Sequence, residues 1–322
     1  MKTRRPRFSI MKPLSSGQAT PIRLGSGTAA HASRKVEQRE MRGIKAMQSV
    51  PSRKTIAQLV HTAVGSFAVG FRARHEGEVD NPNGIINMKI HNVFIEALGE
   101  EIQYYGALVR SLDSSLGNML EKLAMNIAGL SFEVRRNVEG PLSVEQTRMI
   151  ADLLERYKRR EKQPTVEDYQ KIGCLGRSAQ DRVRRHDSDY YLIDTTGHVH
   201  YLIELKIGGD LDNKKARSEK EAILEQFAIL SNVLPAGSQI KIFFATAYNR
   251  FGENEPWRQQ RVRQFFADDE LLIGKDFWNF VCQSDHGCEW VSEAYRNVVS
   301  KMRFNRNNAE MSLWQSLTQY AL

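Results

Sequence analysis

Three residues in the middle of this chain have types and spacing that can do chemistry together: Asp189, Glu204 and Lys206. They lie in the string Asp187-Ser-Asp189-Tyr-Tyr-Leu-Ile-Asp194-Thr-Thr-Gly197-His-Val-His-Tyr-Leu-Ile-Glu204-Leu-Lys206. Residues 190–193 and 199–205 are rich in β-branched and aromatic side chains, and Thr195-Thr196-Gly197 between them is a turn signal. A hairpin is therefore predicted. With Thr196 and Gly197 as a two-residue loop, counting outward sets Asp189 opposite Glu204. Directly opposed Cβ atoms are about 4.5–5.5 Å apart, and two carboxylates that close repel unless a cation lies between them.

Side chains of a strand alternate faces, so Glu204 and Lys206 share one face, and Asp187 and Asp189 both have the parity to meet them. Asp194 has the opposite parity and sits at the turn. Asp189 ranks first as the partner of Glu204 and Asp187 second, and a slip of one residue in the register would reverse the parity. Oxygen-only ligation by few carboxylates suits Mg²⁺, which keeps several waters and completes its shell with phosphate oxygens. Such an ion activates a bound water, and Lys206 beside it can hold that water and offset charge developing on phosphorus. Asp189, Glu204 and Lys206 are thus candidate catalytic residues for phosphodiester hydrolysis, with Asp189 and Glu204 as metal ligands. The competing reading is a solvated Glu-x-Lys face paired by charge. Against it, Tyr201-Leu-Ile-Glu204-Leu-Lys206 is mostly apolar, as a buried central strand is, and charges there need a reason.

The elements around the hairpin must position it. Ile56, Leu59, Val60, Ala63 and Phe67 are spaced as one helix face from Thr55 onward, and residues 77–84, with Asn81-Pro82-Asn83-Gly84, form a loop. A second helix is expected over 88–108, and a third from Ser114 or Ser115 to about Ala128. Glu121 lies close to the apolar stripe of the third helix, either as an exposed acid or as a further metal ligand. Residues 132–138 read as a first strand. Ser143 caps a helix running to about Arg159, with Gln146 as its capping-box partner. After the hairpin a helix over 214–234 and a buried strand over 240–246 complete a strand–helix–strand unit, so the hairpin extends into an α/β sheet. The loop Gly208-Gly209-Asp210-Leu-Asp212-Asn213 opens that helix, and Lys214, Lys215 and Arg217 in its first turn are candidate DNA-phosphate contacts. Past Trp257 the reading is helical, with Arg258, Arg261 and Arg263 on a stripe that is either solvated or DNA-facing, and with helices over 290–302 and 311–320.

Bulk properties narrow the class. With 322 residues, 41% hydrophobic and 26% charged, the chain is ordinary for a soluble globular protein. No apolar run is long enough to span a membrane. Cys174, Cys282 and Cys288 show no paired spacing, which argues against a disulfide framework and a zinc ribbon and favours a cytoplasmic setting. His198-x-His200 reads as the edge of a hairpin or as two metal donors on one face. The net charge of +8 is uneven, because residues 1–54 hold thirteen Lys and Arg against Glu37 and Glu40, leaving the remainder at −3. Residues 1–53 are expected to be a disordered extension: a basic arm, a leader, or a stretch before a true start at Met41 or Met47. Residues 54–322 then form one domain with a helical part (54–130), a catalytic core (131–250) and a second helical part (251–322).

Asp189, Glu204-Leu-Lys206, the preceding helix Ser115-Leu-Gly117-Asn-Met-Leu-Glu121 and the strand after the following helix together resemble a PD-(D/E)XK nuclease, the fold of most type II restriction endonucleases. Two longer stretches, from His91-Asn-Val-Phe-Ile-Glu-Ala-Leu98 through Glu121 and Glu204-Leu-Lys206-Ile-Gly-Gly-Asp-Leu-Asp212, are similar to the Tde III and Mja II type of restriction endonuclease. That resemblance implies a restriction-endonuclease-like three-layer α/β/α core with a mixed sheet and helical additions at both ends. It also implies Mg²⁺-dependent cleavage of double-stranded DNA at a palindrome of the GGNCC kind, 5′-phosphate products, a homodimer and a cognate DNA methyltransferase. Two departures stand out. Ser188 replaces the proline before the aspartate, and Gln226 is followed at Leu230 by no tyrosine, which argues against a RecB-like exonuclease. The other readings are a repair or recombination nuclease of the same fold and an inactive DNA-binding protein, and the full Asp/Glu/Lys set speaks against the latter.

Overall fold

The structure, a computed structural model, describes residues 51–79, 81, 84, 92–175, 182–208 and 211–304. All of them fall within one unit of the chain, Gln48–Leu322. The first helix, α1 (Arg53–Val79), is longer than its periodic stretch and runs into the expected loop. Helix α2 is short (Val93–Glu96), capped by the Asn92 side chain, which accepts from the backbone N–H groups of Phe94 and Ile95. Gly99 at positive φ separates it from α3 (Glu100–Ala128). The helix expected over 88–108 is thus split at Gly99, with residues 88–91 outside the described ones, and its second half is continuous with the third expected helix, because the polar run around Ser111 to Ser115 stays helical. Contacts with α1 hold it there: Ser111 bonds the His75 ring at 3.0 Å and Ser115 accepts from Arg74 at 3.1 Å, and tertiary contacts of this kind override weak propensity.

The sheet is built from β1 (Glu133–Leu142), β2 (Arg182–Ile193), β3 (Val199–Lys206), β4 (Gln239–Thr246) and β5 (Leu271–Ile273), in that spatial order. Pairing is antiparallel from β1 to β3 and parallel from β3 to β5. Between β1 and β2 lies α4 (Val144–Lys158), whose Ser143–Gln146 capping box is formed as the sequence predicts, followed by α5 (Glu167–Gly173). Helix α6 (Asn213–Val233) makes the crossover from β3 to β4. A short α7 (Gln260–Arg263) precedes β5, and α8 (Lys275–Cys282) and α9 (Gly287–Phe304) follow it. The helix expected over 311–320 lies outside the described residues, as do residues 1–50.

Two apolar clusters flank the sheet. One packs α4 to α7 against Val138, Tyr191, Leu202 and Phe244, and the other packs α1, α3, α8 and α9 against Tyr190, Leu192, Ile203 and Ala245. Alternate residues of β2 and β3 thus feed opposite layers, and the protein is a three-layer α/β/α fold of the restriction-endonuclease kind with a mixed sheet and helices before and after it. At Gly140 of β1 a Cβ would stand 2.8 Å from both Ile229 and Val233 of α6, so only glycine lets that helix lie so close. Buried charge also ties the α4–α7 layer together. Lys220 is fully buried and bonds both Glu270 carboxylate oxygens at 2.7 and 2.8 Å and the Tyr169 hydroxyl at 2.6 Å. Among the described residues no helix is long and apolar enough to cross a membrane, and the three cysteines are free.

Candidate active site

The hairpin places the acids where counting put them. Tyr190 pairs with Ile203, Leu192 with Tyr201 and Ile193 with His200, and the same register carried outward sets Asp189 opposite Glu204. The loop is wider than two residues. Asp194 N–H donates to the Val199 carbonyl at 3.0 Å, so Thr195 to His198 form the connection, with an inner turn closed by Gly197 N–H on the Asp194 carbonyl. Because both loops share one centre, the register is unchanged. Asp194 organises this turn, its carboxylate accepting from the backbone N–H groups of His198 and Val199 at 2.9 and 3.0 Å. His200 is buried and bonds the Tyr191 hydroxyl at 2.8 Å, while His198 is exposed, so the two histidines are turn and packing residues.

A bulge frees Asp189 from the outer ladder. On the β1 side Arg135 pairs with Tyr191 and Asn137 with Asp187, so Ser188, Asp189 and Tyr190 face Arg136 alone. Asp189 turns to β3, where its Oδ2 accepts from Leu205 N–H at 3.1 Å. Asp187 stays with β1: with the Asn137 amide oriented to suit both neighbours, that amide donates to Asp187 Oδ1 at 2.7 Å and accepts from Arg185 at 2.6 Å. Lys206 bonds Glu204 on its own strand and, 3.2 Å away on α6, Glu219. From the opposite layer α3 brings Glu121, anchored by Tyr190, whose hydroxyl donates to the Glu121 carbonyl at 2.5 Å.

The electrostatics describe a site with too much negative charge. Burial pushes the Glu204 carboxyl up to about 8, and Asp189 and Glu219 add to the rise against the pull of Lys206. Burial and Asp189 likewise raise Glu121, although Arg136, Lys206 and Lys122 oppose it. Burial acts to lower Lys206, but Glu204, Glu219 and Asp189 outweigh it and hold the ammonium charged. Four carboxylates thus surround one ammonium, and a cation at the Asp189–Glu204 pair would relieve the repulsion. Among the described residues no three His, Cys, Asp or Glu side chains converge into a ready-made metal cage. Two opposed carboxylates are the scale of donor set that Mg²⁺ takes when it keeps its own waters, so the residues fit that ion better than a structural zinc.

Other sequence-predicted residues divide. Helix α6 opens with Asp212 as its N-cap, accepting from Lys215 N–H at 2.7 Å, and Lys214 and Lys215 are exposed. Arg217 is held by Glu155 at 3.3 Å and by Glu221 at 3.2 Å, which gives it a role in docking α6 on α4. Of the later arginines, Arg258 lies over the Phe251 ring and Arg263 pairs with Asp268. Gly208 carries a close approach, because a Cβ there would stand 2.6 Å from the Tyr248 hydroxyl. Gly209 and Asp210 lie outside the described residues. Sequence reading missed Glu219, whose only signal is an acid two turns into the helix that follows Lys206.

A search of curated proteins and a search of solved structures return no match. A family model does match: that of the type II restriction endonuclease HinfI, over residues 72–299. The span contains Glu121, Asp189, Glu204, Lys206 and Glu219 and takes in every strand of the sheet. The match supports a restriction endonuclease as expected, though in the HinfI family and not the Tde III and Mja II type. With well over half of its length matched, the chain belongs to the HinfI family of type II restriction endonucleases, which act on double-stranded DNA.

Proposed function

We propose that Asp189, Glu204 and Lys206 are the catalytic centre of a Mg²⁺-dependent endonuclease that cuts both strands of DNA within a short palindrome. The observation that carries this is the β2–β3 hairpin, in which Tyr190 pairs with Ile203 beside Asp189 and Glu204 and the Asp189 carboxylate accepts from Leu205 N–H, between Glu204 and Lys206, in a chain of a restriction family. Asp189 and Glu204 would hold the ion, with Glu121 as a further oxygen donor from α3 and Asp187 as the alternative to Asp189. When bound, the ion supplies Lewis-acid charge and a more acidic water. Lys206 is held charged, so it donates a hydrogen bond to the attacking water and neutralises charge gathering on the phosphate oxygens. Asp189 is kept in place by Leu205 N–H, a backbone donor that cannot drift as a side chain would. Lys214 and Lys215, exposed in the first turn of α6, contact flanking phosphates.

A palindromic target needs two-fold symmetry in the protein, so the working form is a homodimer. The products carry 5′-phosphates, a partner methyltransferase protects the same sequence, and mapping the cut ends identifies the palindrome. The two aspartates provide a discriminating experiment. Asp189→Asn should lose cleavage by a factor of about 10³ or more while binding DNA in Ca²⁺, and Asp187→Asn should cut at close to the wild-type rate. Loss in Asp187→Asn alone would transfer the metal role to Asp187, and wild-type cleavage by both variants would deny it to either.

A further inference from the structure

Lys206 has more anchoring than a pair of residues on one strand provides. A lysine side chain carries four rotatable bonds and about 2 kcal/mol of rotamer entropy, so a single contact at its tip leaves the ammonium free to swing. Here the tip meets two carboxylates from two elements. Glu204 reaches it along β3 and Glu219 reaches it from α6 at 3.2 Å. Both partners of the second contact are partly buried, with 31% of the Lys206 and 25% of the Glu219 side chain exposed, so the contact is not a freely solvated surface pair.

Glu219 is itself fixed. The next residue, Lys220, is locked into the core by Glu270 and Tyr169, and three residues earlier Ala216 is fully buried. Neighbouring helix positions are about 100° apart, so anchoring Ala216 and Lys220 sets the rotation of α6 and with it the direction of Glu219. The helix that crosses over from β3 thus returns an acid to the strand it left. We propose that Glu219 is a positioning residue for Lys206, holding the ammonium from the α6 side while Glu204, bonded to it through one carboxylate oxygen, keeps the other to face a cation with Asp189. Of the three donors of the ammonium, two are then occupied and one remains for water or phosphate. This assignment rests on the nuclease reading given above.

The test is single-turnover cleavage and Ca²⁺-supported DNA binding of the full chain, comparing Glu219→Gln, Glu219→Asp, Lys206→Met and the double variant Glu219→Gln/Lys206→Met. Glu219→Gln should cleave about 10- to 100-fold more slowly, the range for residues that orient a catalytic group. The enzyme concentration giving its half-maximal single-turnover rate and its DNA affinity in Ca²⁺ should stay within about two-fold of wild type, and Glu219→Asp should recover part of the rate. In the Lys206→Met background Glu219→Gln should have no further effect, because nothing is left to position. Thermal unfolding without metal supplies a readout independent of cutting: the effects of the two substitutions on the melting temperature should be less than additive.

Wild-type cleavage by Glu219→Gln, beside a Lys206→Met protein slowed to its residual single-turnover rate, overturns the inference and leaves the nuclease reading standing. An equal factor in both backgrounds, or a loss confined to the half-saturating enzyme concentration and DNA affinity, also overturns it, since Glu219 would then act on DNA or on the fold. A wild-type protein that leaves DNA intact in Mg²⁺ overturns the nuclease reading and this inference with it.

Discussion

Glu204→Gln should make the metal-free protein more stable at high pH while abolishing its use as a nuclease. The Glu204 carboxyl is raised from 4.5 to about 8 by burial and by Asp189. A carboxyl whose folded value lies above its unfolded value favours the fold when protonated. Its contribution is therefore greatest below about pH 4.5, falls as pH rises toward 8, and is lost above that. Each pH unit in the window is worth about 1.4 kcal/mol. With 13% of the side chain exposed, about 2–4 kcal/mol is the working figure for the penalty at pH 9. The amide of Gln carries no charge and still offers Lys206 an acceptor, so the variant escapes that penalty. About 1 kcal/mol moves the melting temperature of a domain this size by about 2–4 °C. In EDTA the variant should thus melt above wild type by about 4–16 °C at pH 9 and close to it at pH 5. Millimolar Ca²⁺ or Mg²⁺ should close the gap at pH 9 by stabilising wild type alone, since ligand binding stabilises only the state that binds. The assay is thermal unfolding by circular dichroism at the two pH values, with and without cation. A gap of the same size at pH 5 and pH 9, or a variant that melts below wild type at pH 9 in EDTA, would mean that the Glu204 carboxylate is not penalised in the fold.

The buried Lys220–Glu270 pair gives a prediction about the fold. Lys220→Met leaves Glu270 uncompensated in the core and should cost about 3–5 kcal/mol in urea unfolding, whereas adding Glu270→Leu should recover most of the loss, and an unchanged midpoint in the single variant would place the pair outside the stabilising core. Gly140→Ala should cost about 1–3 kcal/mol, because the new methyl would meet Ile229 and Val233 at 2.8 Å, and a variant as stable as wild type would mean that α6 can lift from β1 freely.

Much of the site could be read from the chain because its register is local. The hairpin register depends only on where the turn is centred, so a four-residue loop gives the same opposition of Asp189 and Glu204 as a two-residue one. The capping box at Ser143 and the crossover helix after Lys206 are likewise set by neighbours a few residues away. What escaped the sequence depends on distant contacts. The bulge beside Asp189 is a mismatch with β1, some fifty residues earlier in the chain, and it decides that Asp187 stays with Asn137. The continuity of α3 through Ser111 to Ser115 rests on Arg74 and His75 of α1. Glu219 meets Lys206 only because α6 is clamped by Lys220, a residue whose burial no periodicity announces. Strand β5 is three residues long and is held by pairing with β4, so it carries too little pattern to be seen.

If the Asp189, Glu204 and Lys206 side chains together cut DNA, as proposed, a plasmid digest reads it directly. Purified wild type and Lys206→Ala should each be incubated with a plasmid of known sequence in Mg²⁺ and the ends of any fragments mapped on both strands. Wild type should give discrete double-strand ends with 5′-phosphates at one short palindrome, and a Lys206→Ala protein that still binds the same DNA in Ca²⁺ should leave the plasmid intact. Cleavage by Lys206→Ala at the wild-type rate, or wild-type nicks that follow DNA structure and not a sequence, would contradict the proposal.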